Sequence, residues 1–363
     1  MSEDVYYKLG ERLNEYQVKM LLVEPFFKVL REIYSEEEAR LGAEYPAGPH
    51  TLKEASELLG RDEKELEPLL EKMANQGTMF TTRDGEVIRY ALTPFVPGVV
   101  EFQLMRATDT PRDRRMAAAF EELMEGEMGE LMRAALQDKE TAKQMIPNAP
   151  ARTVTVEKEL PADSEIFPFE KVSELFDQEE SFGAAKCYCR HHAYLVNRPC
   201  QVKGIPEYSC LMFGKTADYV VERGFGKRIT KEEALEITRQ CAEAGLVHNV
   251  NNFSGGLVFL CNCCGCCCGF LQSIKRFNTD AMVAYSNFMV QINAEECTGC
   301  ETCIDRCPME ALSLEDDVAT VNPELCIGCG NCKSVCPEEC MIMVRRSDKK
   351  PPKIDKSIVA LGV

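Results

Sequence analysis

The strongest constraint on this chain is a cysteine motif that occurs twice between residues 297 and 337. C-x-x-C-x-x-C-x-x-x-C-P appears as Cys297, Cys300, Cys303 and Cys307-Pro308, and again as Cys326, Cys329, Cys332 and Cys336-Pro337. Two-residue gaps let one tight loop aim three thiolates at one face of an iron–sulfur cubane, and the fourth thiolate must come from elsewhere. Proline after the fourth cysteine fixes φ and carries the chain away from its own loop. The spacing therefore predicts crossed ligand sets. Cys297, Cys300, Cys303 and Cys336 hold one 4Fe–4S cluster, and Cys326, Cys329, Cys332 and Cys307 the other. Zinc bound by paired cysteines would leave the third cysteine and the Cys-Pro of each half unexplained.

On these residues the segment resembles the bacterial-type dicluster ferredoxin domain. The resemblance implies two pseudo-twofold halves that pair short strands and helices around two cubanes. Gly299, Gly328 and Gly330 lie between ligands, where a missing Cβ is expected to let backbone amides approach cluster sulfides. Cys340 has no place in the pattern and reads as a small buried residue.

At 363 residues, 45% of them hydrophobic, the chain is long enough for two or three domains with real cores. Its start, Met1-Ser2-Glu3-Asp4, offers neither the basic nor the apolar region of a secretion signal, so the 20 cysteines read as reduced cytoplasmic thiols, not disulfides. No stretch has the roughly 18 uncharged apolar residues of a membrane span. A formal charge of −17 argues against nucleic acid and anionic membrane as partners. Residues 293–340 carry eleven acids against two bases, so a redox partner with a basic docking patch is expected.

Apolar residues at helical spacing over residues 18–33 predict a helix kinked or restarted at Pro25. Thr51 and Glu54 form a capping box that opens a helix ended by Gly60, and Asp62 opens another, ended by Gly77, with Pro68 inside it. Alternation over residues 79–92 around Asp84-Gly85 predicts a hairpin. This succession resembles a winged-helix domain. Its second capped helix has five acids against Lys64 and Lys72, which opposes DNA binding and favours a docking or scaffold role. Thr110-Pro111 opens one long helix with an apolar stripe from Met116 to Ala135.

Eleven cysteines fall between residues 187 and 268: Cys187, Cys189, Cys200, Cys210, Cys241, Cys261, Cys263, Cys264, Cys266, Cys267 and Cys268. Cys261, Cys264 and Cys267 have cubane-tripod spacing, while Cys263 and Cys266 offer a second C-x-x-C register. One cysteine from the 187–210 group would complete the first set, and Cys263 or Cys266 with the remaining early cysteines would form the second, making two further 4Fe–4S clusters. Cys241, inside a helix opened by a Thr230–Glu233 capping box, reads as core. His248 is a possible iron ligand or hydrogen-bond donor, and His191 and His192 are possible outer-sphere donors.

The predicted fold is multidomain α+β. It comprises a winged-helix-like domain (1–104), a helical connector (105–150), a cysteine-rich iron–sulfur domain (151–285), a dicluster ferredoxin domain (286–345) and a tail (346–363). Cys-x-Cys-Arg, the Gly-Leu-Val-His segment and the Cys261–Cys268 run together resemble the middle of large iron–sulfur proteins of strict anaerobes. That resemblance implies a non-catalytic electron-transfer subunit or accessory ferredoxin. Two alternatives remain: a reductase using an incompletely ligated, non-standard cluster or spare thiols such as Cys263 and Cys268 in the middle domain, and an iron–sulfur-sensing winged-helix regulator. No phosphate-binding glycine loop or dinucleotide fingerprint is present.

Overall fold

A computed structural model describes residues 4–125, 127–277 and 279–353. Asp4 accepts from the Tyr6 amide to open α1 (Val5–Leu13). Pro25 does not kink a helix. It lies in the first turn of α2 (Glu24–Ile33), where its missing N–H costs nothing. A Ser35–Glu38 capping box starts α3 (Glu36–Glu44). β1 (His50–Thr51) runs into α4 (Leu52–Leu59), capped by Thr51 and Glu54 and closed by Gly60 at φ +65°. Asp62 then caps α5 (Glu63–Gln76), closed by Gly77 at φ +83°. Pro68 lies on the exposed side of α5, so the Lys64 carbonyl it leaves without a helical partner is open to water. β2 (Met79–Asp84) and β3 (Val87–Leu92) form the expected hairpin, and β1 adds to β3 in the order β1-β3-β2.

Next come α6 (Val100–Met105), α7 (Pro111–Glu125), α8 (Glu127–Gln137) and α9 (Lys139–Met145). The single long helix expected after Pro111 is described as α7 and α8 on either side of residue 126, which lies outside the described residues. An added Cβ on Gly129 would lie 2.4 Å from the Met124 carbonyl oxygen. Phe26, Phe95 and Phe120 join these helices to the N-terminal core.

The middle of the chain builds a seven-stranded sheet. Its elements in sequence are β4 (Ala151–Val154), α10 (Val172–Phe176), β5 (Phe182–Lys186), α11 (Tyr188–Leu195), β6 (Tyr208–Phe213), α12 (Gly214–Glu222), β7 (Gly226–Arg228), α13 (Lys231–Glu243), β8 (Val247–Asn251), β9 (Phe259–Cys263), α14 (Gly269–Phe277) and β10 (Val283–Ala284). The strand order is β10-β4-β8-β9-β6-β5-β7, and only the β10–β4 pair is parallel. α12 ties this sheet to the N-terminal hairpin. The Tyr219 hydroxyl donates to the Ala74 and Met79 carbonyls, its ring packs 4.4 Å from Phe80, and Arg223 and Glu222 pair with Glu71 and Arg83.

The C-terminal part contains β11 (Phe288–Ile292), α15 (Thr302–Arg306), β12 (Leu312–Glu315), β13 (Val318–Val321) and β14 (Met341–Arg345). β11 pairs antiparallel with β14, and β12 with β13. It is docked firmly on the middle sheet. The Val156 amide donates to the Cys329 carbonyl and the Thr155 hydroxyl to the Gly328 carbonyl. Arg306 donates to the Ala242 and Glu243 carbonyls at 2.9 and 2.6 Å, satisfying the end of α13 where a cation also suits the helix dipole. Residues 354–363, most of the expected tail, lie outside the described residues.

Candidate metal centres

Every cysteine except Cys241 falls into one of four groups. The inner C-terminal group is Cys307, Cys326, Cys329 and Cys332. They surround a space of about 360 Å³, open solvent included, whose other walls include Val290, Leu312, Ile327 and Met343. The outer group, Cys297, Cys300, Cys303 and Cys336, surrounds one of about 310 Å³. Each Cys-Pro cysteine thus stands with the other half's three. Cys340 also lines the outer cavity, its Sγ 3.4 Å from that of Cys336, so it is a fifth thiol at that centre as well as a buried residue.

The two C-terminal groups differ in their exposure to water. Burial pushes the Cys329 thiol up to about 12 and Cys332 up further, so the inner centre is dry. Cys300 is exposed, and hydrogen bonds from Thr302 hold its thiol below the usual range. Glu295, Glu296, Glu301, Asp305, Glu338 and Glu339 are all exposed on this segment. Two of the glycines have a steric reason as well. Gly299 and Gly328 have φ of +65° and +75°, and an added Cβ would meet the Asp317 carbonyl oxygen at 2.5 Å and that of Phe288 at 1.9 Å. Close backbone crossing by itself excludes a side chain there.

A third group, the sheet centre, grows out of strand geometry. Cys261 and Cys263 are two apart on β9 and share one face, and Cys210 on β6 lies directly opposite Cys261. A register shift at Ala185–Lys186 ends β5 just before Cys187. Cys189 follows in α11, and Cys268 precedes α14. These six thiols are electrostatically coupled neighbours in the order 187–189–268–263–261–210, and all six line one space of about 370 Å³, open solvent included. Cys268 was legible only as one of the spare thiols of the run, and its position here depends on α14.

The fourth group, the loop centre, is Cys200, Cys264, Cys266 and Cys267, all of whose sulfurs lie within 4.8 Å of one another. The predicted 261–264–267 tripod is therefore not assembled. β9 is still extended at Cys261, which sends that side chain into the sheet, whereas Cys264 and Cys267 lie beyond the strand end. The complementary 263–266 register is split in the same way.

Arg190 joins the two middle centres. Its Nη1 donates to the Asn262 carbonyl at 3.1 Å. Burial opposes its charge, but the neighbouring sulfurs of Cys187, Cys264 and Cys263 outweigh that and push its pKa up. His248 stands outside the four-thiol metal group. It is buried on β8 with Nδ1 2.7 Å from the Asn262 side-chain oxygen, and burial lowers it to about 4, so it is neutral. Asn262 in turn donates to the Ser209 carbonyl. His191 and His192 donate away from the thiols, to the carbonyls of Thr108 and Ala117. Cys241 lies in the core of α13 beside Leu246 and Cys264, its thiol pushed up to about 12 by burial.

The cysteine-lined cavities, closed by apolar side chains, suit 4Fe–4S clusters at the two C-terminal centres. Residues 289–337 match the 4Fe-4S dicluster domain family. Neither the curated proteins nor the solved structures contain a match to the chain. The C-terminal part is thus a 4Fe–4S dicluster domain on a mixed helix-and-sheet protein, which points to iron–sulfur electron transfer. Among the described residues, no helix is long and apolar enough to cross a membrane.

Proposed function

We propose that this protein is a cytoplasmic electron relay, a polyferredoxin-like subunit or accessory protein of a redox system, without substrate chemistry of its own. The observation that carries the reading is one contact. Gly265, between Cys264 and Cys266, packs so closely on Pro308, the neighbour of Cys307, that a Cβ would stand 2.0 Å from the Pro308 carbonyl oxygen. Chain neighbours of cysteines in the inner C-terminal and loop centres therefore touch, and Cys264 also lines the sheet cavity.

A 4Fe–4S cluster supplies one-electron redox chemistry wherever one is bound. Cys297, Cys300, Cys303 and Cys336 would hold one, and Cys307, Cys326, Cys329 and Cys332 another. The sheet cavity, equal in size to the inner one, would take a third on four of its six thiols. The exposed Cys300 with its acidic rim is the face for a partner protein carrying a basic patch, and the dry inner centre leads inward. Residues 1–104 act as a winged-helix-like scaffold, 105–150 as connector, 151–285 as the cysteine-rich domain and 286–345 as the electron port. Reductive titration of the anaerobically purified protein, followed by electron paramagnetic resonance, tests this reading. It expects reducible clusters in the middle as well as the C-terminal part, and spectra of two clusters alone would sink it.

A reductase remains the second reading because of one cleft. About 1310 Å³ including its mouth, it lies between the N-terminal helices and α14 and reaches Cys189, Cys266 and Cys267. Glu101, whose buried carboxyl is pushed up, and Tyr188 are among its polar groups. Small-molecule binding that perturbs the cluster spectra would favour this reading. The regulator reading finds less support, since Arg83 and Glu71 of the hairpin and second capped helix are engaged by Glu222 and Arg223.

A further inference from the structure

The loop centre differs in kind from the other three. Cys200 Sγ lies 3.6 Å from Cys264 Sγ and 3.7 Å from Cys266 Sγ, and Cys266 and Cys267 are 3.6 Å apart. A tetrahedral ion with metal–sulfur bonds of about 2.3 Å sets its ligand sulfurs ~3.8 Å apart. A cubane carries its thiolates outside a cube of iron and sulfide, so its ligand sulfurs stand farther from one another. The same molecule provides the comparison. Among the described residues no other three cysteines draw within 4.8 Å of one another, although four cysteines line each of the two dicluster centres.

We infer that Cys200, Cys264, Cys266 and Cys267 bind a single thiophilic ion, zinc or iron, as a closed mononuclear four-thiolate site and not as a further cubane. Four soft ligands at tetrahedral spacing select these metals. With every position taken by protein, the ion has no vacancy for substrate, and its role is positional. It ties the connection that carries Cys200 to the turn after β9, against Leu246 and Cys241 of the α13 region. That turn is the one whose Gly265 meets Pro308, so the ion fixes how the middle sheet meets the dicluster domain.

A cubane contains equal numbers of iron and sulfide, so the excess of metal over acid-labile sulfide counts mononuclear sites directly. The full-length protein, purified without oxygen, should carry one more metal ion than sulfide per chain, about thirteen against twelve if the sheet centre is loaded. Cys200→Ser should abolish the excess and leave sulfide unchanged. If that variant fails to fold, the wild type produced with cobalt should show the absorption of a tetrahedral cobalt thiolate. Equal metal and sulfide in the wild type would overturn the assignment, as would an excess that persists in a folded Cys200→Ser protein. Zinc and iron as the extra ion both support it, and metal analysis tells them apart. An excess of one in a protein whose clusters accept no electrons would sink the relay while leaving this site in place.

Discussion

Gly265 shows how much a single residue can decide in this protein. Its backbone is ordinary, so only the nearness of Pro308 demands glycine. Gly265→Val should therefore push the turn away from the dicluster domain, slowing electron passage to the middle centres several-fold while cluster content stays near wild type. Stopped-flow reduction monitored at both sets of clusters reads this, and an unchanged rate would count against the contact as the route. His248 permits a second residue-level test. Its ordinary value is 6.5, and burial lowers it to about 4 in the folded protein. Folding therefore disfavours the proton, and the neutral histidine's contribution is fully present above pH 6.5 and lost as pH falls toward 4. The loss reaches ~3 kcal/mol at the acid limit. Denaturation of His248→Asn from pH 7.5 to 5 should show a shallower decline than wild type, and parallel curves would refute this.

At the level of elements, strand alternation and crossed loops assign the thiols. Cys303 and Cys307 are four residues apart yet line different cavities, since α15 ends between them and Pro308 turns the chain away. Cys303→Ala should cost the solvent-facing cluster and Cys307→Ala the dry one. Electron paramagnetic resonance with a relaxation probe in solvent distinguishes the two, because only the outer cluster should be strongly affected. Loss of the same signal in both variants would contradict the crossed sets. The Thr230–Glu233 box offers a structural control. Thr230→Ala should cost about 1 kcal/mol of stability, seen in thermal unfolding, without moving any cluster signal.

For the whole molecule, charge and docking decide the partners. The net charge of −17 and the acids around Cys300 predict reduction by a basic-faced donor at a rate that falls steeply with added salt. Salt-independent kinetics would remove the acidic face from the mechanism. The same charge predicts no specific duplex binding, and nanomolar sequence-selective binding in a mobility-shift assay at physiological salt would reverse that. The Arg306 cap on α13, the Asn331 bonds to the Gly245 and Leu246 carbonyls and the Lys333–Glu159 pair hold the dicluster domain as a built-in part, not a tethered one.

The sequence by itself determined whatever depends on chain neighbours. Cubane spacing and its Cys-Pro crossings, the capping boxes at Thr51 and Thr230, the hairpin at Asp84-Gly85 and the acidic surface are all local patterns whose physics needs no fold. Only the tertiary structure decided how the middle thiols divide. Spacing counts residues, but β9 alternation turns Cys261 and Cys263 toward Cys210 and leaves Cys264, Cys266 and Cys267 beyond the strand to meet Cys200, 64 residues or more away in sequence. It decided likewise that His248 pairs with Asn262 and that Pro308 rests on Gly265. Each of these depends on which strand lies beside which, and pairing between distant segments is what a one-dimensional pattern does not contain.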